Sequence, residues 1–182
     1  MRILADPHVS YTAKTAVILG NFDGFHRAHK TLAKACVAYA KQEGLTPAAF
    51  CFVNPPDKGE MLTDDDQKAR LMKESGIELL FTYDFALLKE LEPKEFVEKI
   101  LLDTLQAKAV FCGFNYRFGK GRSAGAEELK DLLKDRAQLF VLPPVRDERG
   151  EVISSSKIRA LLAAGNKKEA EKLLGHSTSQ KL

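Results

Sequence analysis

Thr15 to Lys30 reads TAVILGNFDGFHRAHK. Its first part, Thr15 to Gly20, is a short apolar run with the length and β-branched content of a buried strand. A loop follows, and then a helical pattern runs through Lys30 to Gln42. Outward from this unit the same alternation recurs. Ala48 to Val53 reads as a second strand, ended by Pro55 and Pro56, which cannot donate to a ladder. Thr63 and the three aspartates after it mark a helix N-terminus, with carboxylates where the helix dipole favours them, and that helix runs to about Ser75 with Gly76 as its cap. Ile77 to Tyr83 is a third strand, Pro93 opens a helix ending near Leu105, and Ala109 to Cys112 is a fourth strand. Ala126 to Lys134 is helical, Gln138 to Leu142 is a fifth strand, and two short helices, Ser155 to Ala164 and Lys167 to Leu174, close the chain. Strands alternating with helices predict an α/β fold: a Rossmann-like parallel sheet with helices on both faces, with ligands beyond the carboxyl ends of the strands. Strand order is not encoded in this pattern.

The 182 residues suffice for one domain with a real core. A net charge of +3 suits anionic small molecules and is too weak to predict nucleic-acid binding. The three cysteines, Cys36, Cys51 and Cys112, are widely spaced and form neither a disulfide framework nor a metal knuckle, so a cytoplasmic setting is expected. No signal-peptide pattern and no membrane-length apolar run is present. His8 and His176 lie in polar terminal surroundings and are assigned no role.

Three segments carry chemistry. The first is Gly20 to His29, GNFDGFHRAH. His26 and His29 lie on one face at a helix start, where exposed backbone N–H groups form an anion site. Imidazoles beside a phosphate can stabilise charge that develops in displacement at phosphorus, a reaction that needs positioning more than a protein nucleophile. A surface pair, or half of a zinc site with Asp23, would show the same spacing, but no further His or Cys lies nearby in sequence. The second is Ile153 to Arg159, ISSSKIR. One serine would suffice as a cap, and three with a lysine and an arginine make a pocket for a triphosphate tail. The third is Gly113 to Gly125, GFNYRFGKGRSAG, directly after the fourth strand. It nearly spells a P-loop at Gly113 to Lys120, yet it has one residue too many and Gly121 where Ser or Thr should hold magnesium. GKGRSA formally matches a dinucleotide fingerprint but lies too far past the strand end. A flexible surface loop is the competing reading.

In this order and spacing the three segments resemble the adenylyltransferase module of prokaryotic FAD synthetases, within the nucleotidyltransferases that carry an HxGH motif. The resemblance runs from about Ala16 to Gly175. Gly20 to His29 is similar to G-N-F-D-G-x-H-x-G-H with Ala28 for the last glycine. Gly113 to Gly119 is similar to G-x-[ND]-F-x-F-G with Tyr116 for the first phenylalanine, and Ile153 to Arg159 to [IV]-S-S-T-x-[IV]-R with Ser156 for the threonine. The family's F-x-P-H-P stands here as Phe52-Val53-Asn54-Pro55-Pro56.

The resemblance implies a nucleotidyltransferase-type fold and the reaction of ATP with FMN to FAD and diphosphate, with Mg²⁺. It implies a catalytic set of His26, His29, Ser155 and Arg159. It places Gly20, Asn21, Phe22, Asp23, Gly24, Asn54, Gly113, Asn115, Arg117, Ser154 and Ser156 against the ligands, with no protein metal ligands. Bacterial relatives usually continue into a riboflavin kinase domain, whereas residues 1–182 read as one nucleotidyltransferase domain. The alternatives are a different acceptor, such as nicotinamide mononucleotide, phosphopantetheine or a sugar phosphate, and a non-catalytic flavin- or nucleotide-binding paralogue.

Overall fold

The computed structural model describes residues 1–4, 11–53 and 61–178. Among the described residues six strands form one sheet: β1 (Arg2–Leu4), β2 (Thr15–Leu19), β3 (Thr46–Val53), β4 (Leu79–Asp84), β5 (Ala107–Gly113) and β6 (Gln138–Leu142). Every pairing is parallel, in the order β1-β4-β3-β2-β5-β6. Five strands were expected; β1 is the sixth, a three-residue edge strand paired through Arg2 to Leu4 with Leu79 to Phe81.

Helix α1 (Arg27–Glu43) begins three residues before the expected Lys30, and α2 (Asp65–Glu74) follows β3. The carboxylate of Asp64 caps α2 by accepting the N–H of Gln67 at 2.6 Å, and Gly76 leaves the helix at φ +92°. Between β4 and β5 lie a one-turn helix α3 (Phe85–Leu88) and α4 (Pro93–Glu95). The latter continues over Phe96–Thr104 with the wider π-helical turn, where an α-helix from Pro93 to Leu105 was expected. Beyond β5 come α5 (Ala126–Leu133), and after β6 the pair α6 (Ser155–Ala163) and α7 (Lys167–Leu174).

Alternation along β2 separates two cores. Ala16 and Ile18 face Leu32, Ala33 and Cys36 of α1 and Met72 of α2. Val17 and Leu19 face Phe96, Val97 and Leu101 of the π-helical segment and Leu129 and Leu133 of α5. All five residues of β2 are buried, as a central strand covered on both faces requires. A third cluster (Leu62, Ile153, Ile158, Ala170, Leu173 and Leu174) holds α6 and α7 together beside the strand ends.

The order of strands also places the ligand crevice. From β2 the chain builds outward through β3 to β4, then returns to the other side of β2 with β5. The reversal falls between β2 and β5, and in open parallel sheets the crevice lies outside the carboxyl ends of strands at such a point.

Candidate active site

Between β2 and α1 the backbone makes an unusual sequence of turns. Phe22, Gly24 and Phe25 have φ of +52°, +77° and +32°. Left-handed phenylalanines are disfavoured, and here both rings are fully buried, so core packing offsets the local strain. Side chains are crowded at both glycines: a Cβ at Gly20 would lie 3.1 Å from the Phe22 ring, and one at Gly24, which also has φ +77°, would lie 2.8 Å from Leu62. These turns aim the N-terminus of α1 at the strand ends.

His26 is the N-cap residue of α1 but its side chain makes no cap hydrogen bond, and the first turn carries no acidic residue. Its imidazole stacks on that of His29, with centroids 3.7 Å apart and planes 16° from parallel. Burial drives the His26 pKa down to about 4, so this imidazole is neutral at pH 7. The open N–H groups of the first turn and the positive end of a helix of 17 residues surround the pair.

The three serines of α6 have three different surroundings. Ser154 Oγ accepts the N–H of Lys157 at 3.2 Å and so caps the helix. Ser155 Oγ donates to the carbonyl of Asp23 at 2.9 Å, and Ser156 is exposed on the cleft wall. Lys157, read from sequence as part of the triphosphate pocket, is instead paired with Asp147 and Glu151 and is not among the residues lining the cleft. Arg159 lines the cleft and is paired with Asp23.

The segment after β5 supplies an aromatic wall. Tyr116 stacks on Phe118 at 5.9 Å, Phe118 packs on Phe96 at 5.6 Å, and Phe52 meets Phe85 edge-on at 5.2 Å. Gly119, at φ +75°, presses so closely on α4 that a Cβ would come within 2.6 Å of Pro93. Lys120 is tied to Glu90 at 3.0 Å, so its ammonium is not presented as a P-loop lysine would be. Lys89, Arg117 and Arg122 add positive charge around this wall.

Together these segments line one cleft of about 840 Å³. That is room for a nucleotide and a second ligand of similar size. Of the residues expected at the site, Gly20, Asn21, Phe22, His26, His29, Gly113, Asn115, Arg117, Ser154, Ser155, Ser156 and Arg159 line it. Asp23 and Gly24 lie behind the lining. Asp23 is 1% exposed, with one carboxylate oxygen accepting the N–H of Leu62 at 2.9 Å and the other facing Arg159. Asn54 and His8 fall outside the described residues.

Two contributions were not read from the sequence. Helix α3 with its cap brings Phe85, Leu88 and Lys89 to the cleft, but four residues are too few to show a period. His176, assigned no role, places Nε2 2.9 Å from the carbonyl of Gly24; no local signal marks a contact spanning 152 residues.

The family model for FAD synthetase matches residues 8–157. The chain belongs to the FAD synthetase family. It is 31% identical over 173 residues to a FAD synthetase of Listeria monocytogenes, covering 90% of this chain and 70% of that one. It is 30% identical to a bifunctional riboflavin kinase/FMN adenylyltransferase of the same organism, again over 90% of this chain but only 54% of the relative. This FAD synthetase family member thus spans about half the length of the bifunctional relatives it matches. A crystal structure of a macrolide-efflux protein from Streptococcus pneumoniae superposes with a TM-score of 0.84 at 30% identity, covering 96% of this chain and 61% of that one.

Proposed function

We propose that the chain is an FMN adenylyltransferase, acting in the cytosol on ATP and FMN. The observation that carries this reading is the joining, in one cleft at the sheet reversal, of two chemically different halves. One half presents stacked imidazoles, a helix N-terminus, serines and Arg159; the other presents stacked aromatic rings with cations around them. The first half suits a nucleoside triphosphate and the second a planar aromatic acceptor that carries a phosphate.

In the proposed reaction an oxygen of the FMN phosphate attacks the α-phosphorus of ATP. The new bond forms as the bond from that phosphorus to the bridging oxygen of the β-phosphate breaks, and diphosphate leaves with the electron pair. His26, His29 and the first-turn N–H groups of α1 donate to α-phosphate oxygens that gain charge, while Ser156 and Arg159 hold the departing diphosphate. No group of three His, Cys, Asp or Glu among the described residues is placed to hold a metal. The histidines, serines and Arg159 that line the cleft are donors to phosphate oxygens, which fits magnesium carried by the ATP phosphates, where it would neutralise charge on the triphosphate. The efflux description of the pneumococcal protein is not carried over, because the cleft presents histidines, serines and Arg159, donors suited to anions. The three buried thiols agree with the proposed reducing compartment.

The test is incubation of the purified protein with Mg-ATP and, separately, FMN, riboflavin, nicotinamide mononucleotide and phosphopantetheine, with chromatographic separation of products. FAD from FMN is expected. Riboflavin should give no product, because it lacks the phosphate nucleophile. Transfer to one of the other phosphates instead would reassign the acceptor. Binding of FMN without FAD under any divalent cation would make this a flavin-binding paralogue.

A further inference from the structure

We propose that Asp23 is a positioning residue for the phosphate-binding half of the cleft, acting through Arg159; the inference rests on the adenylyltransferase reading. The sequence places Asp23 in the middle of the first motif, where contact with nucleotide is the natural expectation. The structure turns it the other way. Left-handed φ on both sides, at Phe22 and Gly24, directs the residue inward, and it is 1% exposed.

Every acceptor of Asp23 described here serves the protein. Oδ1 accepts the Leu62 N–H at 2.9 Å, Oδ2 faces the Arg159 guanidinium, and the backbone carbonyl accepts the Ser155 hydroxyl at 2.9 Å. One residue away, the N–H of Gly24 donates to Thr63 Oγ1 at 3.2 Å. Asp23 therefore ties three segments distant in sequence to one point: the loop carrying His26, the start of the α2 segment, and the N-terminus of α6.

The physical consequence concerns Arg159. A free arginine near the cleft would sample many rotamers and lose that freedom when a triphosphate binds. A buried carboxylate behind it fixes the guanidinium in advance at the wall of the cleft, which Arg159 lines. The backbone carbonyl of the same residue, Asp23, holds Ser155. His26 and Arg159 are thus held in register, so that the group meeting the α-phosphate and the group holding the departing diphosphate are placed together.

The experiment is a double-mutant cycle of Asp23→Asn and Arg159→Ala, read in kcat/KM for ATP during FAD formation, in equilibrium ATP binding, and in Tm. Asparagine keeps the size and the acceptor for Leu62 and removes the charge that orients Arg159. Asp23→Asn should lower kcat/KM at least about tenfold with little change in Tm, and should cost almost nothing further in the Arg159→Ala background. Costs that add in full would overturn the proposal, because Asp23 would then act independently of Arg159. If Asp23→Asn melts early, Arg159→Lys reads the link from the other side: an ammonium keeps the charge but lacks the planar fork, so a comparable loss is expected at unchanged Tm. An Arg159→Lys protein of wild-type activity would overturn the proposal too. If the wild-type protein binds ATP but forms no FAD, the adenylyltransferase reading fails, and additivity or its absence in the binding cycle still decides the role of Asp23.

Discussion

The imidazole rings of His26, the N-cap of α1, and His29, in its first turn, lie 3.7 Å apart and nearly parallel. Two imidazolium ions at that distance would repel each other strongly, and burial already keeps His26 neutral at pH 7. The pair therefore meets a phosphate as directed N–H donors more than as two fixed charges. Donors of that kind contribute most where negative charge grows during the reaction.

His29→Ala should accordingly lower kcat at least about tenfold while changing the KM for ATP much less, because an interaction made mainly in the transition state is read in kcat. Steady-state kinetics with ATP varied at saturating FMN makes the measurement. A rise in KM alone would make His29 a ground-state binding residue.

The depressed pKa of His26 also sets a pH dependence of stability. Unfolded, the imidazole has its ordinary pKa of 6.5; folded, burial lowers it to about 4. Between these values the unfolded chain takes up a proton that the folded protein refuses. The contribution of neutral His26 is thus complete above pH 6.5, is lost progressively as pH falls, and levels off below about 4. The loss amounts to about 3 kcal/mol across that window. Urea melts of wild type and His26→Gln from pH 7 to pH 4 check it: the variant should lose distinctly less stability, and parallel curves would place His26 in contact with water.

Much of this site was legible in the sequence because it depends on local signals. The apolar run of β2, the two histidines beside a helix start, and the serines before α6 each announce themselves within a few residues. Other features could not be read that way. Strand β1 has three residues, and Ile3 is exposed, so it shows no buried period. The helix over Phe96–Thr104 is π-helical and buries Phe96, Val97 and Leu101 under the sheet, and an apolar pattern shared with an α-helix does not reveal the wider turn. The inward turn of Asp23 and the reach of His176 to Gly24 depend on contacts spanning 136 and 152 residues. Lys157 looked like a phosphate ligand because Asp147 and Glu151, which hold its ammonium, sit in a preceding hairpin with no motif of its own.

Two glycines of the third segment separate steric need from backbone need. Both Gly119 and Gly121 have positive φ, +75° and +62°. A Cβ at Gly119 would approach Pro93 to 2.6 Å at a ring carbon and 3.1 Å at the backbone nitrogen, whereas one at Gly121 would meet nothing within 4 Å. Gly121→Ala should therefore cost only the left-handed penalty, about 1 kcal/mol. Gly119→Ala should cost about 2–3 kcal/mol, because the loop must also move away from α4. Thermal melts of the two variants make the comparison. Equal losses would mean that the contact with Pro93 does not hold the aromatic wall in place.

Ala28 stands between the stacked histidines in sequence, lines the cleft, and occupies the position where the family pattern has glycine. It is the second residue of α1, so its own N–H belongs to the open first turn that faces the phosphates. A methyl at this point keeps a ligand farther from the backbone than glycine would, and it does so equally in the ground and transition states. Ala28→Gly should tighten ATP binding by about 1 kcal/mol, the scale of one methyl contact in a pocket, with little change in kcat. The same substitution weakens α1 slightly, since glycine is the poorer helix former, and a fall in Tm of about 2–4 °C should accompany the tighter binding. Calorimetric titration with ATP beside a thermal melt reads both quantities on one sample. Unchanged or weaker binding in a protein that still melts cooperatively would show that nucleotide does not approach the Ala28 backbone, and the phosphate would then have to be held by the imidazoles and Arg159 without the helix N-terminus.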